Sequence, residues 1–467
     1  MARAANSIAA GAGLLMVLQA ETAWATDGPS LESQGGRPRK PHTRWIGPSL
    51  DHWVPEFVVP HYRPPKAPPA DYTHLARPDT FRVPVYSNVE PPRSVIARTR
   101  RGEVLPARKV DTTRSCTDNG APGTWWEVPD GFICSASGYT ITTQLEPEAP
   151  RQHRPALNLP LPFRYARVTT KGAARFSRRP TSEELEYVAR WSDDAPVPGS
   201  VIERMWDDFF VALDKREKVG DTVVYRNIYG EYIRGEDLKL LDPPPMHGER
   251  LGQGLDLPMA FVFGEEPAPL YCETARGLEV CGEAEKHARF APSAFVARRG
   301  RNYVRGPDRA LVPAERLRVA RRIARPPGVL PETKWVHIDL SQQTLVAYEG
   351  DTPVFVTLVS SGKPTHATPS GLYQVQRKFL TKIMRGNDPK EGIYHVEEVP
   401  WTTYYHGAYA IHGAYWHNTF GSVRSHGCTN VAPADARWLY FWGDPKRKPH
   451  FHALVREQAT HFYFTED

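Results

Sequence analysis

A chain of 467 residues exceeds what one ordinary hydrophobic core organises, so several domains are expected. Its 45 prolines, 35 glycines and 11% aromatic residues exclude an architecture of long helices and favour a mainly β protein of short strands and many turns. The formal charge of +6 is modest and does not point to nucleic acid, and beyond the first 25 residues no stretch reaches membrane-spanning length.

Residues 1–25 read as a secretory leader: Arg3 supplies a thin positive start, residues 8–18 a short apolar core, and Ala23-Trp24-Ala25 a small-x-small cleavage site. The competing reading is a disordered or anchoring N-terminus. No cysteine follows the cleavage site to carry a lipid. Residues 26–78 are proline-rich, with Arg37, Arg39, Lys40 and the run Arg63-Pro64-Pro65-Lys66, and lack helical or strand periodicity, which predicts an extended linker.

Short β-branched and aromatic runs punctuated by turn residues then predict small β-barrels at 79–145, at 160–242 with an insertion, and at 255–322. The second ends in Ile233-Arg234-Gly235-Glu236-Asp237-Leu238 and the third in Val312-Pro313-Ala314-Glu315-Arg316-Leu317, the same apolar spacing around a glutamate, which reads as an internal repeat. The blocks resemble bacterial SH3-like modules; that resemblance implies wall binding, with a spacer role as the alternative. Ten arginines between 298 and 325 face only Asp308 and Glu315, a stretch able to meet an anionic wall polymer or to stand as a solvated basic face. Arg325-Pro326-Pro327-Gly328 marks a boundary, after which runs at 335–340, 344–348 and 354–359 open the last domain, 333–457, as a β-meander.

Four of the five cysteines have spacings that suggest the pairs Cys116 with Cys134 and Cys272 with Cys281; other connectivities, or buried unpaired thiols, stay open. Cys428 is left over. A thiol attacks an amide as thiolate, and an unperturbed pKa near about 8.5 calls for a neighbouring imidazole. His412, which follows an apolar pair and precedes Gly413 as at a strand end, is the candidate base, and His426 is the alternative. Ser425, His426 and Gly427 precede the sulfur, where a glycine turn can aim backbone N–H groups at an oxyanion. His395, His406 and His417 read as surface or core histidines. Trp438 reads as core packing.

The segments Ile411-His412-Gly413 and Ser425-His426-Gly427-Cys428-Thr429-Asn430 resemble the L,D-transpeptidase catalytic domain. Upstream, Asp339-Leu340-Ser341-Gln342-Gln343-Thr344-Leu345, Ser360-Ser361-Gly362-Lys363 and Thr368-Pro369-Ser370-Gly371 look like that family's earlier motifs, in order. The resemblance implies a β-rich catalytic domain with short helices and a cysteine nucleophile, Cys428. It also implies that the carbonyl of Gly413 orients the His412 ring in place of a carboxylate. Thr429 and Asn430 depart from the family's usual apolar residue and arginine. Asn430, Tyr415 and Trp416 are candidate substrate contacts.

The resemblance implies an exported enzyme of the periplasm or cell wall that needs no cofactor. It would hold a peptidoglycan stem peptide as a Cys428 thioester and pass it to an amine. Water as acceptor gives a carboxypeptidase or wall hydrolase instead. A binding-only alternative uses His412, His417, His426 and Cys428 as zinc ligands.

Overall fold

The computed structural model of the protein describes residues 45–47, 50, 53–59, 67–80, 82–144, 154–388, 392–446, 451–455 and 459–466. The expected leader at 1–25 lies outside them, as does much of the expected linker. The described chain is mainly β, with 48% strand and 9% helix.

Three upstream β-modules share a local device at their C-terminal ends. In the first, strand Gly131–Cys134 passes through a 3-10 turn, Ser135–Ser137, into strand Tyr139–Thr142. The second runs Tyr232–Arg234, a turn at Gly235–Asp237, then Leu238–Leu241; the third runs Leu311–Pro313, Ala314–Arg316, Leu317–Ala320. The two tails that match in sequence therefore fold alike, and the first module joins them without matching in sequence. Within the second module helix α1 (Ser182–Arg190) is an insertion, started by a capping box in which Thr181 and Glu184 exchange side-chain and backbone bonds. Disulfides join Cys116 to Cys134 and Cys272 to Cys281, with Cα separations of 5.9 and 5.7 Å.

The last domain opens as an antiparallel meander, β1 (Lys334–Asp339), β2 (Thr344–Glu349) and β3 (Thr352–Ser360). Next come β4 (Gly371–Gln374), a long hairpin of β5 (Arg377–Asp388) and β6 (Gly392–His406), then β7 (Tyr409–Gly413), β8 (Thr429–Val431), helix α2 (Pro433–Trp442), β9 (Ala453–Val455) and β10 (His461–Thr465). Strand β10 runs parallel to β1, and β8 lies between β7, parallel to it, and β3, antiparallel to it. Helix α2 is apolar nearly all round and sits within the core beside Trp401, Tyr405 and Phe462. Its C-terminal carbonyls meet the buried ammonium of Lys378, which donates to Tyr440 O at 2.6 Å, Gly443 O at 3.0 Å and Pro445 O at 3.0 Å.

The upstream modules are not separate beads. Met246, Leu255, Met259, Phe261 and Ala320 form one cluster with Trp335, Val346, Tyr348 and Leu358 of the last domain, while Glu249–Arg250 pairs with β3. The first module's strand Val95–Thr99 pairs with β9, and the second meets β6 at Phe210 opposite Val396. Part of the expected linker is also committed: Trp45 packs on Phe290, the Glu56 carboxylate and the Phe57 carbonyl accept bonds from Trp438 and Arg437 of α2, and the strand His74–Pro78 belongs to the first module. Proline removes donors and periodicity, so a packed strap of this kind looks like a spacer when only the sequence is read. Among the described residues, the side chains of six of the ten arginines from 298 to 325 bond within the protein: Arg298 and Arg305 to Glu273, Arg301 to Glu315, Arg316 to Glu266 O, Arg318 to Gly421 O and Arg325 to Asp351.

Because the third module and the last domain share apolar contacts, Phe261→Ala is expected to lower stability by about 3–5 kcal/mol. Urea unfolding followed by tryptophan fluorescence and by far-UV circular dichroism should move together; two separated transitions would show that the shared core is not cooperative.

Candidate active site

Strand β7 carries the ring of His412 into the interior, where the residue is 2% exposed. Its Nδ1 lies 3.4 Å from the carbonyl oxygen of Gly413, the only hydrogen-bond partner the ring has among the described residues. Burial pulls the imidazole down to about 4, against the opposing pull of that carbonyl, so the ring is neutral at physiological pH. Trp416 covers one face, ring centroids 5.7 Å apart.

Parallel pairing of β7 with β8 sets Ile411 opposite Thr429 and His412 opposite Asn430, so Cys428, the residue immediately before β8, arrives beside Ala410. The Cys428 sulfur is 3.7 Å from Ala408 O and packs against Phe379, Tyr404, Ala410 and Ala453, while the residue keeps partial exposure. Burial of the sulfur pushes the thiol up to about 11, the Ala410 backbone working the other way. Ala410 and His412 share a face of β7, so the backbone positions of Cys428 and His412 lie one sheet diagonal apart, with the sulfur turned towards Ala408. No hydrogen bond joins the two side chains among the described residues.

The turn before Cys428 is tied to the motifs found upstream in the sequence. Ser361 O accepts from Arg424 N at 2.9 Å and from Ser425 N at 3.0 Å, and Ser425 O accepts from Lys363 N at 2.9 Å. Thr368 donates its hydroxyl to Gly427 O at 2.8 Å and accepts from Gly362 N at 2.9 Å. Ser361 is itself held by Gln343, whose amide oxygen accepts from Ser361 N at 2.7 Å and whose NH2 donates to Ser361 Oγ at 2.6 Å. Gly427 adopts φ +110, and a Cβ there would lie 2.6 Å from the Tyr409 ring, so only glycine fits. Ser425 Oγ donates to the Cys428 carbonyl and accepts from Gly427 N at 3.1 Å, so that N–H is engaged within the turn instead of pointing outward.

The other candidates divide. His426 is exposed, with its ring 4.9 Å from that of His366 and stacked on Tyr394 of β6 at 5.3 Å. Asn430 is buried and joined to His417, Nδ2 to Nε2, at 2.9 Å, and Tyr415 is buried with its hydroxyl donating to Glu397 O at 2.8 Å. Tyr415 stacks on Tyr165 of the second module at 3.9 Å, which commits it to the seam between modules and away from an open groove. Trp416 is half-buried and 6.1 Å from the Phe210 ring of the same module. Sequence reading missed Tyr404 of β6, which packs against Cys428 and carries no motif. Among the described residues no three His, Cys, Asp or Glu side chains are grouped to hold a metal ion, so His412, His417, His426 and Cys428 do not form a ligand set.

Residues 333–450 match the YkuD family, the L,D-transpeptidase catalytic domain. A cysteine-to-serine mutant of the Enterococcus faecium L,D-transpeptidase is similar at 22% identity, covering 29% of this chain and 50% of that one, with a TM-score of 0.24. The Stackebrandtia nassauensis L,D-transpeptidase is 21% identical over 30% of this chain and 58% of its own, TM-score 0.22, and that of Mycobacterium smegmatis is 19% identical over 37% and 76%, TM-score 0.23. This chain thus spans half of the first and less than two thirds of the second. No curated relative matches.

With burial raising the thiol to about 11, the thiolate is a minor species at pH 7. Iodoacetamide alkylation of Cys428, followed by intact mass, is expected to accelerate steadily from pH 7 to 10. A plateau reached below pH 8 would mean a preformed thiolate.

Proposed function

With residues 333–450 an L,D-transpeptidase catalytic domain of the YkuD family, we propose that this protein cross-links peptidoglycan by cysteine acyl transfer, Cys428 acting as nucleophile and His412 as its base. The supporting observation is the parallel pairing of β7 and β8, which brings Cys428 back one sheet diagonal from His412, whose Nδ1 is turned to Gly413 O.

The values near 11 and near 4 mean that the resting pair is thiol and neutral imidazole, so the proton moves as attack begins and not before. The sulfur leaves Ala408 O and turns towards Nε2 of His412. It attacks the carbonyl carbon of an L,D-amide in a stem peptide while its proton passes to Nε2. The carbonyl oxygen takes up the charge and is met by backbone N–H of the 426–428 turn, for which Cys428 N–H is the candidate. Collapse breaks the C–N bond, the terminal D-residue departs as an amine carrying the proton from His412, and the acyl group remains as a Cys428 thioester. An acceptor amine then gives its proton to His412 as it attacks, forming the new amide and freeing the thiol. No nucleotide is consumed, because the thioester conserves the energy of the broken amide.

The same reading places the protein outside the cytoplasm. Two disulfides beside one free cysteine fit an oxidising compartment, as the expected leader does, and among the described residues no helix is long and apolar enough to cross a membrane.

Purified protein incubated with muropeptides is expected to give cross-linked dimers by mass spectrometry, and Cys428→Ala none; dimers formed at the wild-type rate by that variant would sink the mechanism. Release of the terminal D-residue without dimers would reassign the enzyme as a hydrolase. The acid limb of kcat/KM should fall near pH 4, where His412 takes up a proton and ceases to be a base, leaving activity at pH 5 close to its neutral value.

A further inference from the structure

The loop from His412 to Cys428 is gripped by residues upstream of the matched domain, and we propose that Arg318 and His287 of the third module are positioning residues for the reaction. They fix the turn that returns Cys428 to His412; the inference rests on the acyl-transfer reading above.

Both donors reach consecutive carbonyls in the middle of the loop. Arg318 Nε donates to Gly421 O at 2.8 Å, and His287 Nε2 lies 3.3 Å from Phe420 O. Burial keeps His287 neutral, lowered to about 4, so a bond to a carbonyl requires the tautomer with hydrogen on Nε2. The His287 backbone holds φ +64, a region uncommon for residues other than glycine, and its N–H is anchored to Val262 O at 2.9 Å.

Arg318 is the more telling of the two. Its guanidinium lies over the Phe263 ring at 3.8 Å, is partly withdrawn from water, and has no carboxylate in ion-pair range among the described residues. Its only hydrogen bond there is to the loop carbonyl. The Asp339 carboxylate attracts it only from beyond ion-pair range; holding a partly desolvated cation without a close counter-ion is unfavourable, and a structural role at this surface could be filled by an apolar side chain. Phe263 completes the grip: Gly421 sits at φ +94, and a Cβ there would lie 2.8 Å from Phe263 Cβ. Within the catalytic domain the same stretch is held by Gly421 N to Val359 O at 2.8 Å and Ser360 Oγ to Thr419 O at 3.1 Å, on the strand that pairs with β8. The loop is therefore fixed between β3 on one side and the third module on the other.

The test uses the full chain with Arg318→Met, His287→Phe and Arg318→Lys. Expected for the first two is a fall of about 10–100-fold in the rate of Cys428 acylation by a carbapenem, read as adduct mass. Hydrogen exchange should quicken in residues 414–424, with a thermal midpoint within about 3 °C of wild type. Arg318→Lys, which keeps a donor, should recover part of the rate. Folded variants with wild-type acylation and wild-type exchange would overturn the proposal. If Arg318→Met does not fold, His287→Phe and Arg318→Lys carry the comparison. A wild-type protein that forms no adduct at Cys428 would count against the acyl-transfer reading, and unchanged loop exchange in the variants would then still overturn the positioning role.

Discussion

The parallel pairing of β7 with β8 is the constraint on which the candidate site depends. Parallel neighbours cannot be joined by a tight turn, so the chain must leave His412, make a long excursion and return beside the strand it left. That excursion is residues 414–427, and it explains why so much of the domain is devoted to holding one irregular segment. Ser361, Lys363 and Thr368 bind its last turn, β3 holds its middle, and aromatic side chains of the second module hold its start at Tyr415 and Trp416. A hydrogen-bonded strand pair tolerates little slippage, so the sulfur and the imidazole inherit the precision of the sheet.

Burial has opposite effects on the two groups the chemistry needs. It raises the thiol and lowers the imidazole, and both shifts favour the uncharged pair. A thiolate is oxidised more readily than a thiol, and a neutral resting state limits that reactivity. In the proposed mechanism the charge is created during attack, when a substrate carbonyl and backbone N–H groups are present to receive it. The same desolvation acts along the seam with the second module. Glu397 there is fully buried and pushed up to about 7, although Arg175 approaches within 3.3 Å and the Ala212 N–H bonds its other oxygen at 3.0 Å.

The upstream modules gain a different meaning from their packing. Modules that served only as tethers would meet the last domain through polar, separable surfaces. Here Phe261 and Met246 share a cluster with Trp335 and Leu358, Val95–Thr99 extends the sheet through β9, and Trp53, Glu56 and Phe57 meet Arg437 and Trp438 of α2. The arginine-rich stretch follows the same pattern, with most of its guanidiniums turned to carboxylates and carbonyls of this chain.

By itself the sequence determined the mainly β character, the meander that opens the last domain and the recurrence of the module tails, and it supplied the groups on which the proposed chemistry rests. Each of these is local: alternation, turn residues and ordered short motifs act within a few residues of one another. It also carried Ser361, Thr368 and Gly427 as parts of motifs, though not the reason for them, which is that they meet in one turn. Tertiary structure alone decided that the thiol lies beside Ala410, that His426 faces Tyr394 and solvent, that Tyr415 belongs to a seam, and that Arg318 and His287 reach the loop. Those contacts join residues that meet only through the pairing and packing of separate elements, or turn on which face of a strand a side chain takes. Neither leaves a periodic trace, because the partner's identity is set by how separate elements pack and not by the spacing of residues along the chain.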